Sequence, residues 1–113
     1  VSETLHDLVD DEGWARVLEQ DLAVLYKHST RCWASSVAMR EVEQFATRHP
    51  DVPVYVVDVL FDRILSQRIA LDTTVRHESP QVIVLRGGRP VWDASHRDIS
   101  AESLAQHAAV VSE

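Results

Sequence analysis

The stretch Leu22-Ala23-Val24-Leu25-Tyr26-Lys27-His28-Ser29-Thr30-Arg31-Cys32-Trp33-Ala34-Ser35 runs from an unbroken apolar segment to the one cysteine among 113 residues. An apolar run with no polar break suits a strand covered on both faces, the usual place of a central strand in a sheet flanked by helices. From Trp33 to Arg48, Ala38, Val42 and Phe45 recur at helical spacing while Arg40, Glu41, Glu43, Gln44 and Arg48 take the other face. This is an amphipathic helix opened by Cys32. A strand that turns sharply into a helix presents unpaired N–H groups and the positive dipole end to the side chain standing there, which favours thiolate over thiol. Lys27, His28 and Arg31 add positive charge nearby. A lone cysteine is often only a small buried hydrophobe, but the start of a helix after a core strand is an unusual place for an inert thiol, and Cys32 reads as a nucleophile. Ser35 stands where a dithiol site would carry its second cysteine, so Cys32 cannot close an internal disulfide.

Working outward, Asp10-Asp11-Glu12-Gly13 puts acids where a helix start favours them, and Trp14, Val17 and Leu18 follow at i, i+3 and i+4. His49-Pro50-Asp51 ends the long helix, and Val52 to Asp58 is the second β-rich run. Strand, helix, strand implies a right-handed parallel unit. Phe61, Leu65 and Ile69, with Ile64 alongside, predict a further helix fading through Asp72-Thr73-Thr74. After Ser79-Pro80, Gln81 to Arg86 and Arg89 to Ala94 flank Gly87-Gly88, a two-residue hairpin signal. Pro90 removes a ladder donor and belongs on an edge strand. Ser100-Ala101-Glu102-Ser103 begins a last helix carrying Leu104, Ala108 and Val111. The order is α, β-α-β, α, β-β-α, a single α/β domain over residues 1–113 with a four-stranded mixed sheet flanked by helices.

Composition narrows the function classes. A net charge of -7 and a pI near 5.2 argue against a nucleic-acid surface, which needs clustered Lys and Arg in excess. There is no apolar run of the roughly 18 residues a membrane span needs, nor a basic segment leading into an apolar one. A cytoplasmic protein is expected, and a free thiol fits a reducing compartment. The histidines, His6, His28, His49, His77, His96 and His107, show no paired metal-ligand spacing, so no metal site is expected. Ser95-His96 lacks a Gly-x-Ser-x-Gly elbow and reads as a turn. Trp14 and Trp92 read as packing residues and Glu78 as a solvated side chain.

The order of elements, with a reactive cysteine after the first core strand and Ser-Pro before the hairpin, resembles the thioredoxin fold. Lys27-His28-Ser29-Thr30-Arg31-Cys32, then Arg76-His77-Glu78-Ser79-Pro80-Gln81, then Gly88-Arg89-Pro90-Val91-Trp92-Asp93-Ala94-Ser95-His96 resemble the three signature stretches of the bacillithiol-system YtxJ family, the monothiol bacilliredoxins. The resemblance implies that Cys32 is the redox cysteine and Pro80 a cis-proline, with the Ser79 backbone facing the thiol's partner. It implies removal of bacillithiol from bacillithiolated client proteins, through a Cys32–bacillithiol intermediate resolved by free bacillithiol or by the cysteine of a partner redoxin. No cofactor is implied beyond bacillithiol as thiol co-substrate. Bacillithiol carries malate carboxylates, which leads one to look for a cationic rim. Arg31, Arg76, His77 and Lys27 are the candidates, with arginine suited to grip a carboxylate by two parallel hydrogen bonds.

Two positions depart from the expected pattern. Trp33 stands where proline is expected and adds a large surface beside the sulfur, able to contact substrate or gate access. Tyr26 occupies the place of the buried acid of dithiol thioredoxins, so proton transfer falls to His28, His77 or solvent. Two other functions fit the same motif. One is an iron-sulfur cluster module of the monothiol-glutaredoxin type, although bulky Trp33 would crowd a shared cluster. The other is a redox-inert binding module whose groove near Pro80 docks a peptide.

Overall fold

In the computed structural model, which describes residues 4–30 and 33–109, a five-stranded sheet carries helices on both faces. The elements in chain order are β1 (Leu5–Asp7), α1 (Asp11–Leu18), β2 (Leu22–His28), α2 (Trp33–Arg48), β3 (Val54–Asp58), α3 (Arg63–Thr73), β4 (Gln81–Arg86), β5 (Arg89–Ser95), a 3-10 turn (His96–Asp98) and α4 (Ala101–Ala109). Across the sheet the order is β1-β3-β2-β4-β5. β3 runs parallel to both β1 and β2, while β4 is antiparallel to β2 and β5 antiparallel to β4.

β2 lies at the centre, and its alternate residues feed two cores. Val24 and Tyr26 join Val42, Phe45 and Leu104 on the α2/α4 face, whereas Ala23 and Leu25 join Trp14, Val17, Leu65 and Ile69 on the α1/α3 face. α2 spans the predicted Trp33 to Arg48 and buries Ala38, Val42 and Phe45 as its spacing requires. α1 begins where the acids predicted it, the Asp10 carboxylate accepting the Gly13 N–H at 2.8 Å. Trp14 is buried and donates from Nε1 to Asp72 at 2.8 Å. Trp92 stacks on His107 of α4 with ring centroids 4.1 Å apart. At the start of α4 the Ser100 hydroxyl accepts the Ser103 N–H at 3.0 Å, as an N-cap does. Among the described residues no helix is long and apolar enough to cross a membrane.

Three expectations need correction or bounding. The sheet has five strands rather than four, because β1 precedes the first helix and pairs with the outer edge of β3. A strand of three residues with one buried side chain, Leu5, leaves no periodic signal. In the α3 region Leu65 and Ile69 are buried as predicted, but Phe61 and Ile64 are 89% and 81% exposed. Phe61 lies before the helix, in a turn where Asp58 Oδ1 accepts the Leu60 and Phe61 N–H groups. Val111, assigned to the last helix, falls outside the described residues.

The hairpin turn at Gly87-Gly88 takes φ of +58° and +81° between the paired Arg86 and Arg89, and Pro90 lies on the edge strand as its missing donor requires. A Cβ on Gly88 would stand 2.6 Å from the Leu18 carbonyl oxygen, whereas one on Gly87 would meet nothing within 4 Å. Gly88→Ala is therefore expected to cost about 2 kcal/mol or more and Gly87→Ala about 1 kcal/mol, the backbone penalty alone. Urea unfolding of both variants checks this; equal losses would contradict the close approach.

Candidate active site

The sheet register gathers the motif residues at one edge. Because β2 and β3 are parallel, His28 stands beside Asp58; because β4 is antiparallel to β2, Lys27 stands opposite Gln81; and Gln81 in turn stands opposite Ser95. The end of β2, the start of α2, the β3–α3 turn, the 74–80 segment and the 3-10 turn thus meet there.

Cys32 and Arg31 lie outside the described residues. The residue following Cys32, Trp33, is the first of α2 and is 79% exposed. The first turn of this 16-residue helix contains no acidic side chain to offset its positive end. Ser35, the position of a second cysteine in a dithiol site, is wholly buried, and its hydroxyl accepts the Ser29 N–H at 3.2 Å.

Beneath that turn lies Tyr26, fully buried. Its hydroxyl donates to the Ser35 carbonyl at 3.1 Å and lies 2.9 Å from His28 Nδ1. The Tyr26 hydroxyl thus ties the end of β2 to the first turn of α2. Burial pushes the His28 pKa below its ordinary value against the opposing pull of Asp58.

The Ser79–Pro80 bond is cis, and Pro80 is buried. The Pro80 carbonyl accepts the His96 N–H at 3.1 Å, and His96 Nε2 lies 3.3 Å from Glu78 Oε1. Glu78, read as merely solvated, therefore links the proline loop to the 3-10 turn; the pair is exposed and worth little stability. Ser79 is half-buried, and its hydroxyl has no hydrogen-bond partner among the described residues. Arg76 and His77 are exposed on the same loop. Lys27 corrects the expectation of a rim cation, since it is wholly buried. In a strand covered on both faces even a lysine must point inward, and this one ends 3.2 Å from His77 Nδ1. Its pKa is lowered to about 8 by desolvation, against the attraction of Glu78. The His77 pKa is also lowered, first by partial burial and then by the charge of Lys27, with Glu78 opposing.

Two depressions flank the proline loop. One, of about 640 Å³, lies towards α3 and is lined by residues including Leu71, Val75, Arg76 and His77. The other, of about 290 Å³, is walled by Trp33, Ala34, Val37, His96 and Arg97. Sequence reasoning missed His96 and Arg97 as neighbours of Trp33. No local pattern announces this: the hairpin register, shifted by an irregularity between Val84 and Leu85, returns the end of β5 to the level of Pro80. Among the described residues no cluster of three or more His, Cys, Asp or Glu is arranged to hold a metal. The first turn of α2 and the cis-proline loop, which carries Arg76, His77 and Ser79, thus stand at the same sheet edge.

The family model for the monothiol bacilliredoxin BrxC matches residues 6–104. A solved structure described as a candidate oxidoreductase with a thioredoxin fold is 34% identical, with a TM-score of 0.85, covering 92% of this chain and 93% of that one. Thioredoxin from Trypanosoma brucei brucei superposes with a TM-score of 0.76 at 19% identity, over 96% of this chain and 92% of its own. Mitochondrial thioredoxin 3 from Saccharomyces cerevisiae gives 0.75 at 13% identity, over 95% of each chain. The two thioredoxins establish the fold alone.

Proposed function

Since this chain belongs to the monothiol bacilliredoxin family, we propose that it removes bacillithiol from protein mixed disulfides through a Cys32 thiolate. The observation that carries this reading is the meeting, at one sheet edge, of the segments flanking Cys32 with the cis-Pro80 loop and the end of the hairpin, while Ser35 is buried and committed to Ser29.

The Cys32 thiolate attacks the bacillithiol sulfur of the client's mixed disulfide. A Cys32–bacillithiol disulfide forms, the client's sulfur leaves as thiolate, and that thiolate takes a proton from water or a nearby acid. A second thiol, from free bacillithiol or a partner redoxin, then attacks the bound bacillithiol sulfur and returns Cys32 as thiolate. The electrons come from that second thiol, so the cycle needs no cofactor. Arg76 and His77 on the exposed loop, with Arg31, supply hydrogen bonds to the malate carboxylates, and Trp33 offers an apolar wall. Ser79 and Pro80 present backbone to the client chain. A reducing compartment such as the cytoplasm keeps the resting thiol free.

The test is turnover of one model protein carrying either bacillithiol or glutathione on the same cysteine. The bacillithiolated form is expected to react about tenfold faster or more, as one additional charge-assisted hydrogen bond would give. Equal rates, or preference for the glutathione form, would reject bacillithiol as the substrate.

A further inference from the structure

Two buried polar side chains of the sheet reach the segment that leads to the cis-proline. Lys27 on β2 and Gln81 on β4 stand directly opposite one another, and both are buried. Strand alternation puts them on the face of Leu25 and Ile83, which packs against α1 and α3. Gln81 Nε2–H donates to the Arg76 carbonyl at 2.9 Å, and Lys27 Nζ lies 3.2 Å from His77 Nδ1. An ammonium has donors and no acceptor, so Lys27 gives the hydrogen and Nδ1 takes it. The neutral imidazole must then carry its proton on Nε2.

We propose that Lys27 is a positioning residue: with Gln81 it anchors residues 76–77 to the sheet, and through Nδ1 it fixes His77 as an Nε2–H donor for a substrate carboxylate. The carboxylate clause rests on the exchange reaction proposed above; the anchoring and the tautomer stand without it. Glu78, on the same loop, is the other charged group acting on Lys27 and His77, and it is shared with His96. The lowered pKa of His77 agrees with the arrangement, because a protonated Nδ1 would face the ammonium without a lone pair to accept from it.

The first readout is the ring-nitrogen NMR spectrum of His77 in the uniformly labelled protein, with Lys27→Met as the variant. The wild type is expected to show the Nε2–H tautomer and a titration below the ordinary histidine range, and the variant a tautomer mixture titrating higher. A wild-type His77 that is protonated at Nδ1, averages freely, or is unchanged in Lys27→Met overturns the anchoring. The second readout is kinetic, with a bacillithiolated peptide as substrate. Lys27→Met and His77→Ala are each expected to raise KM about tenfold, with kcat and the iodoacetamide rate of Cys32 within about twofold, and the double variant to be no worse than either single one. An unchanged KM, or additive losses, overturns the role of His77 as a donor set by Lys27. If the wild type fails to turn the peptide over, the proposed function falls, and the NMR result still decides the anchoring. His77→Ala alters an exposed side chain, so it keeps the kinetic test open should the buried substitution perturb folding.

Discussion

Cys32→Ser is expected to abolish release of bacillithiol from a modified protein, reducing the rate to the uncatalysed background. Only a thiolate attacks a disulfide sulfur usefully near neutral pH, and a serine hydroxyl has neither the acidity nor the nucleophilicity to replace it. The contrast that gives this loss its meaning is Ser35→Ala. Ser35 is buried, and its hydroxyl accepts the Ser29 N–H, so its removal is expected to cost about 1 kcal/mol of stability. It should leave the first exchange step intact, because one sulfur is enough to accept bacillithiol. Both rates are measured as bacillithiol released per minute from one modified protein. Residual catalysis in Cys32→Ser, or an equal collapse in Ser35→Ala, would contradict a monothiol mechanism.

The second large effect concerns the buried lysine. Lys27→Met is expected to be more stable than wild type at pH 7, by on the order of 1–3 kcal/mol. Desolvation lowers the folded-state pKa of Lys27 to about 8, from an ordinary value of 10.5. Folding therefore strains the charged form, and the cost is fully present below pH 8. Between about pH 8 and 10.5 the unfolded chain binds more protons than the folded one, so wild-type stability rises with pH. Above 10.5 both states are neutral and the cost is gone. The stability gap between variant and wild type should close across that window. Groups that titrate alike in both proteins cancel in the comparison. Paired urea unfolding at pH 7, 8, 9 and 10 follows the gap; a gap that stays constant, or a variant less stable at pH 7, would show that Lys27 is not charged in a desolvated site.

Much of the fold is written in local spacing. The apolar run of β2, the stripe of Ala38, Val42 and Phe45, and the Gly87-Gly88 turn each have a period or a backbone requirement that only one element satisfies. Where local pattern and tertiary placement part, the reading failed. β1 is three residues long and gains its identity only from its pairing with β3, Leu5, His6 and Asp7 lying beside Val54, Tyr55 and Val56. Phe61 and Ile64 are apolar yet exposed, because the turn at Asp58 and the direction of α3 set which side faces the core. Lys27 is a candidate for the cationic rim that the resemblance calls for, whereas its place inside the central strand buries it. The three motif stretches were legible as residues. Their meeting was not, since Gln81 opposite Lys27 and Ser95 opposite Gln81 are facts of register. His96 and Arg97 were missed for the same reason.

The central claim is that Cys32 itself receives the bacillithiol. Intact-mass spectrometry of the reduced protein and of Cys32→Ser, each incubated with oxidised bacillithiol and separately with oxidised glutathione, measures this directly. The expected result is a single bacillithiol adduct on the wild type alone, formed faster than the glutathione adduct. On the same sample the alkylation rate should titrate with a thiol pKa below the free-cysteine value of about 8.5. No adduct on the wild type, or an adduct on Cys32→Ser, would contradict it.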